Sequence, residues 1–234
     1  MIIKRLIEQT GRKLIITGHY GSGKTEFAVS LALLLSAEKA GKLALIDLDI
    51  VNPYFRSRER RDLLETAGVR VYGSAFDQEV TVELPALGAS IRAPLEDRDC
   101  RVIIDAGGND SGALCLNQFT RYFTDTDTTT LSVVNANRPE TRDLAGALAH
   151  IAAIEAVTGL TVSGVINNCH LLRETTAGTV IKGHALCEEI CNATGKIIWC
   201  DCYPAGIVDP AELSGLSDTL LPMGLYMRPT WLDK

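Results

Sequence analysis

The segment Gly18-His19-Tyr20-Gly21-Ser22-Gly23-Lys24-Thr25 constrains this chain more than any other, because of what flanks it. Before it, residues 13–17 form an apolar run that reads as a buried strand. After it, residues 24–40 are apolar nearly all round, as befits a deeply packed helix, and Gly41 follows as a C-terminal cap. A strand that feeds a helix through G-x-x-x-x-G-K-T has a known physical use. The glycines let the backbone curl so that its N–H groups, with those of Ser22 and Glu26, converge on phosphate oxygens. The helix N-terminus adds partial positive charge. Lys24 supplies a mobile cation for the terminal phosphates, and the Thr25 hydroxyl is a hard oxygen suited to Mg²⁺.

The rest of the chain alternates short apolar runs with helical stretches. Strands are predicted at 43–47, 69–72, 101–105, 129–134, 161–167 and 196–201, and helices at 58–67, 113–123, 140–157 and 177–193. Continuous Val/Ile/Leu runs point to strands covered on both faces. The expected fold is therefore α/β, a doubly wound, mostly parallel sheet of about seven to eight strands with helices on both faces. Residues 80–99 are the hardest to read, with Pro85 and Pro94 bracketing a helix. With 234 residues and 46% hydrophobic content the chain suits one domain over 1–234, its core at about 13–204 and an irregular segment at 205–234.

Composition narrows the function. Lys and Arg total 23 against 29 Asp and Glu, a net charge of −6, which disfavours nucleic acid as a partner. No apolar run approaches the ~18 residues of a membrane span. The tail Leu225-Tyr226-Met227-Arg228-Pro229 is too short and broken to act as a stable membrane anchor, and the first residues do not read as a signal peptide. An odd number of cysteines, seven, in a chain with its own core favours reduced thiols and a cytoplasmic setting. Cys187, Cys191, Cys200 and Cys202 lack the usual zinc-knuckle spacing and read as core fillers rather than metal ligands.

Two further predicted strands end in acids. Asp47 closes one, with Asp49 just beyond it, and Asp105 closes another, followed by Ala106-Gly107-Gly108. In open α/β sheets ligands lie at that edge, so these carboxylates can converge on the phosphate loop. Gly108 is placed for its N–H to meet a γ-phosphate.

Taken together, Gly18–Thr25, Asp47-Leu48-Asp49 and Asp105-Ala106-Gly107-Gly108 resemble the MinD/ParA/CobQ-CobB group of P-loop ATPases, from about residue 13 to about 204. The resemblance implies ATP with Mg²⁺. Thr25, Asp47 and Asp105 would serve the metal, Lys24 and Asp47 the phosphoryl chemistry, and Asp49 the attacking water. It also implies a nucleotide-dependent homodimer or a protein partner. An Asn at the end of a later strand would meet the adenine edge, here Asn168 first and Asn167 second, with Pro204 a weaker contact. One departure stands out: the second loop position, a lysine in many members, is His19. Turnover is then expected to be slow or to need a partner, unless an arginine within 52–58 supplies the cation. No N/T-K-x-D guanine motif is present. Alternatives of another class are a small-molecule kinase or ATP-dependent ligase related to dethiobiotin synthetase, its acceptor held by residues 76–99 and 105–117, and a metal-insertion GTPase.

Overall fold

In the computed structural model the described residues are 2–49, 60–73, 85–108, 110–124 and 126–227. Among the described residues eight strands, all parallel, form one sheet in the order β3-β2-β4-β1-β5-β6-β7-β8. They are β1 (Lys13–Thr17), β2 (Lys42–Asp47), β3 (Val69–Tyr72), β4 (Cys100–Asp105), β5 (Thr128–Val134), β6 (Val162–Asn167), β7 (Ile197–Pro204) and β8 (Leu220–Met223). The described helices are α1 (Ile2–Gln9), α2 (Lys24–Ala37), α3 (Arg61–Thr66), α4 (Pro85–Glu96), α5 (Asp110–Ala113), α6 (Leu144–Thr158) and α7 (Ala177–Thr194).

Side-chain alternation along the strands divides the core by face. Leu14, Ile16, Leu45, Ile103, Leu131 and Val133 pack against α1, α2 and α3. Ile15, Ile46, Val102 and Ile104 pack on the other face with Ile91 and Leu95 of α4, and Val134 and Val165 pack there with α6 and α7. Helix α2 is the most enclosed: Phe27, Ala28, Val29, Leu31, Ala32 and Leu35 have no exposed surface.

The structure differs from the sequence expectations in several places. Helix α2 ends at Ala37, three residues short of its predicted end, because Lys39 already takes φ 52°. The helix predicted for 113–123 is a 3-10 segment, Leu114–Tyr122, entered through the short α5. Pro94 lies inside α4 rather than beyond it. Residues 205–234 are not wholly irregular, since Leu220–Met223 adds the eighth strand. Pro222 is accommodated because β8 lies at the edge of the sheet, where a strand tolerates proline. Helix α1 has no counterpart among the predicted elements.

No described helix is long and apolar enough to cross a membrane.

Candidate nucleotide site

Strand β1 has β4 on one side and β5 on the other, so the loop that leaves it opens into the crevice where the chain's connections diverge. Gly18, Gly21 and Gly23 all take positive φ, at 147°, 76° and 83°. The turn closes with the Ser22 N–H donating to the His19 carbonyl at 2.9 Å, and Phe27 N–H to Gly23 O at 2.9 Å starts the helix. Gly23 is required twice over. Its φ suits only glycine, and a Cβ there would drive into the Asn168 amide and stand 3.0 Å from His170 Nε2. No side chain caps α2, so its first N–H groups remain for an anion. The Ser22 hydroxyl is fully buried with no hydrogen-bond partner.

The three expected carboxylates do meet here. Asp47 and Asp105 are register partners at the ends of β2 and β4, and Asp105 also pairs in register with Ile16 of β1. Asp49 N–H donates to Asp47 Oδ1 at 3.1 Å. Lys24 Nζ lies 2.7 Å from Asp49 Oδ2, and both side chains are buried. Asp105 is fully buried, and neither carboxylate oxygen has a hydrogen-bond partner; the Thr25 hydroxyl approaches without closing one of ordinary geometry. Burial pushes its pKa up to about 7, with Asp47 and Asp49 adding repulsion and Lys24 and Thr25 opposing the rise.

These donors fit Mg²⁺. It is a hard cation that keeps several waters and takes one or two carboxylates or hydroxyls besides phosphate oxygens. The orphaned Asp105 oxygens, buried Asp47 and the Thr25 hydroxyl are such a set. Among the described residues no three His, Cys, Asp or Glu side chains form a cluster that could chelate a metal unaided, which such a water-rich cation does not need.

Gly108 belongs to the same site. A Cβ on it would stand 2.8 Å from Gly18 O and 2.9 Å from Tyr20 N, so the segment after β4 rests directly on the loop backbone.

Other expected residues lie elsewhere or act differently. The Glu26 carboxylate accepts N–H from Tyr226 at 2.6 Å and Met227 at 3.0 Å, so only its backbone amide remains for phosphate. Burial lifts its pKa to about 7, against those two bonds and the Arg60 charge. The Asn167 amide is turned into the core, donating to Val180 O at 2.9 Å and Asp201 Oδ1 at 2.7 Å and accepting from Cys169 N; it does not reach a base. Asp201 anchors this buried network, with His184 Nδ1 at 2.9 Å and the Thr219 hydroxyl at 2.6 Å. Asn168 sits at the loop, its Nδ2 donating to Ser22 O at 2.9 Å. His19 turns outward, 3.7 Å from Glu140 and edge-on to His150. Arg60 binds the Tyr226 carbonyl, and Arg61 pairs with Glu65 at 2.9 Å. Residues 52–58, with the arginines expected to supply a cation, and 76–84 lie outside the described residues. Cys200 and Cys202 pack on the face carrying α2, whereas Cys187 and Cys191 pack under α7 on the opposite face, so the four thiols do not gather. Burial pushes the Cys187 and Cys202 thiols well up, as suits inert core residues.

Two contacts escaped sequence reading. Arg138, in the turn after β5, donates from Nε to Gly21 O at 2.7 Å. His170, after β6, stands against Gly23. Neither belongs to a motif, and only the approach of β5 and β6 to the loop reveals them.

An eight-stranded parallel sheet with this loop after its central strand is the fold of the P-loop nucleoside triphosphatases. The chain matches no protein-family model and no curated protein by sequence. Among solved structures it is similar to cell division protein FtsY from Thermotoga maritima, at 19% identity over 84% of this chain and 66% of that one, TM-score 0.55. FtsY from Mycoplasma mycoides gives 17%, 82%, 59% and 0.53. The signal recognition particle 54 kDa protein from Aeropyrum pernix K1, solved with GDP, gives 19%, 85%, 45% and 0.51. This chain thus spans between 45% and 66% of their lengths, and at such identities the likeness is one of fold.

Proposed function

We propose that this protein is a Mg²⁺-dependent ATP switch. It would hydrolyse ATP slowly, or under a partner's stimulus, and couple the cycle to a conformational or dimerisation change. The observation that carries this is the convergence of Lys24, Asp47, Asp49 and Asp105 on the uncapped N-terminus of α2. Within the P-loop fold this set supports reading the chain as a switch like those of the MinD/ParA/CobQ-CobB group, and cofactor or metalloenzyme maturation is one process such a switch could drive.

Arriving phosphate would compete with Asp49 for Lys24. The Asp49 carboxylate can then orient a water on the γ-phosphorus and take its proton as the bond to the β–γ bridging oxygen breaks, giving ADP and phosphate. Thr25, Asp47 and Asp105 would hold Mg²⁺, which when bound supplies positive charge to the β- and γ-phosphate oxygens. Lys24, the loop amides and the Gly108 N–H would stabilise charge developing on the transferred group.

ATP is favoured over GTP by Asn168. With Nδ2 held by Ser22 O, its Oδ1 is left as an acceptor, which suits the exocyclic amine of adenine where guanine carries an oxygen. Tyr20, 57% exposed on the loop itself, supports a partner surface at the mouth. The test is calorimetric titration with non-hydrolysable ATP and GTP analogues plus Mg²⁺, followed by phosphate release at rising protein concentration. Tight binding of the ATP analogue and concentration-dependent turnover are expected. A GTP preference would overturn the base assignment, and binding of neither would overturn the site.

A further inference from the structure

The carboxylates orient whatever ligand the loop takes. Asp47, Asp49 and Asp105 come from the ends of β2 and β4, all on one side of β1. The metal and the terminal phosphate therefore belong on that side. A nucleotide threaded through the loop must extend its sugar and base the other way, toward the ends of β5 and β6. Three side chains from those ends lie against the loop: Arg138 and Asn168 bond its backbone at Gly21 O and Ser22 O, and His170 stands beside Gly23.

Of the three, Arg138 is only half-committed. Its Nε is fixed at 2.7 Å from Gly21 O, which sets the plane of the guanidinium at the rim of the loop. Among the described residues neither Nη nitrogen has a hydrogen-bond partner, and no carboxylate lies within ion-pair distance of it, although the chain carries a net charge of −6. Arg138 is partly exposed, so its two Nη groups keep donors to spare beside the loop. Its neighbour His170 does not compete for an anion: burial, and next the Arg138 charge, lower its pKa to about 4, so the imidazole is neutral near pH 7. An anchored fork of unpaired donors is suited to phosphate and sugar oxygens.

We propose that Arg138 is a nucleotide-binding residue for the sugar and α-phosphate end, donating from its Nη groups while Nε holds the loop. The assignment rests on the nucleotide reading above and adds to it a cation from outside the loop, on the side opposite the carboxylates. It is distinct from a substitute for the lysine missing at His19, which would act on the terminal phosphate.

The experiment is calorimetric binding of ADP, GDP and a non-hydrolysable ATP analogue to the wild type, Arg138→Ala and Arg138→Gln, with thermal melting of each nucleotide-free protein. Glutamine keeps an N–H donor able to reach Gly21 O but lacks the charge and the fork. Expected is a loss of about tenfold to a hundredfold in Arg138→Ala, equal for di- and triphosphate and equal for the two bases. Arg138→Gln should melt close to wild type and bind as weakly as the alanine variant. Full recovery of affinity in Arg138→Gln would reduce Arg138 to a strap on the loop. A loss confined to the triphosphate would move its contact to the γ-phosphate, and undiminished diphosphate binding in Arg138→Ala would remove it from the site; each overturns the assignment. Failure of the wild type to bind any of the three overturns the nucleotide reading itself, and this assignment with it.

Discussion

Lys24 and Asp49 form a buried ion pair, Nζ to Oδ2 at 2.7 Å, inside the loop that is shaped to receive phosphate. On the proposed mechanism the cation for the ligand is held by the carboxylate for the water, and binding would exchange one partner for the other. Removing Lys24 takes away a cation 2.7 Å from the buried Asp49 carboxylate. Lys24→Ala should therefore lower the stability of the nucleotide-free protein by about 3 kcal/mol, besides abolishing tight nucleotide binding. Adding Asp49→Asn should restore most of the stability and none of the affinity. A denaturant double-mutant cycle measures this, and additive losses would show that the pair is not coupled.

Asp105 makes the nucleotide-free protein pH-sensitive. Its carboxyl titrates at about 7 in the folded state, above its ordinary 3.8, so between those values the folded protein keeps a proton that the unfolded chain has released. Stability contributed by this group falls as pH rises through that window and levels off above it. Glu26, also titrating at about 7, adds to the decline in the wild type. Asp105→Asn should match wild type near pH 4 and exceed it near pH 8 by about 1–3 kcal/mol, read as a melting shift of about 2–4 °C per kcal/mol. Parallel melting curves across that range would exclude a buried ionisable Asp105.

Glu26 ties the first turn of α2 to the chain near Tyr226 and Met227. Glu26→Ala leaves two N–H groups without their acceptor and should cost about 1–3 kcal/mol. Hydrogen exchange should show the amides of Tyr226 and Met227 losing protection more than those of β8. Unchanged protection at both would mean that Glu26 does not hold them.

Gly108 touches the loop too closely for any side chain. Gly108→Ala must push the loop or the segment after β4 by several tenths of an ångström, at a cost of about 1–3 kcal/mol. Triphosphate affinity should fall more than diphosphate affinity, because the displaced N–H is the one proposed to meet the γ-phosphate. Equal losses would detach Gly108 from the terminal phosphate.

Much of this was legible before any coordinates. Strands whose residues are buried on both faces, such as 43–47 and 101–105, announce themselves as unbroken apolar runs, and the acids at their ends fell where a parallel sheet gathers them. What escaped was settled by tertiary packing rather than by local pattern. Residues 220–223 form a strand only because β7 offers an unpaired edge, a fact that Pro222 hid. Asn167 and Asn168 are chemically alike and adjacent, yet alternation sends one into the Asp201 network and the other to the loop. Glu26 reads by position as a first-turn phosphate contact, and its side-chain partners lie 200 residues further on. Arg138 carries no motif at all, since its role depends on where β5 ends relative to Gly21.

That 200-residue span between Glu26 and Tyr226 also bears on how the protein is made. Synthesis runs at about 5–20 residues per second, so roughly 10–40 s separate the emergence of the helix bearing Lys24 from that of the segment that steadies it. During that interval a nascent chain would carry its phosphate loop on a helix whose flank is still uncovered. Any contribution of that contact to holding a ligand would then lag behind the making of the loop by the same interval.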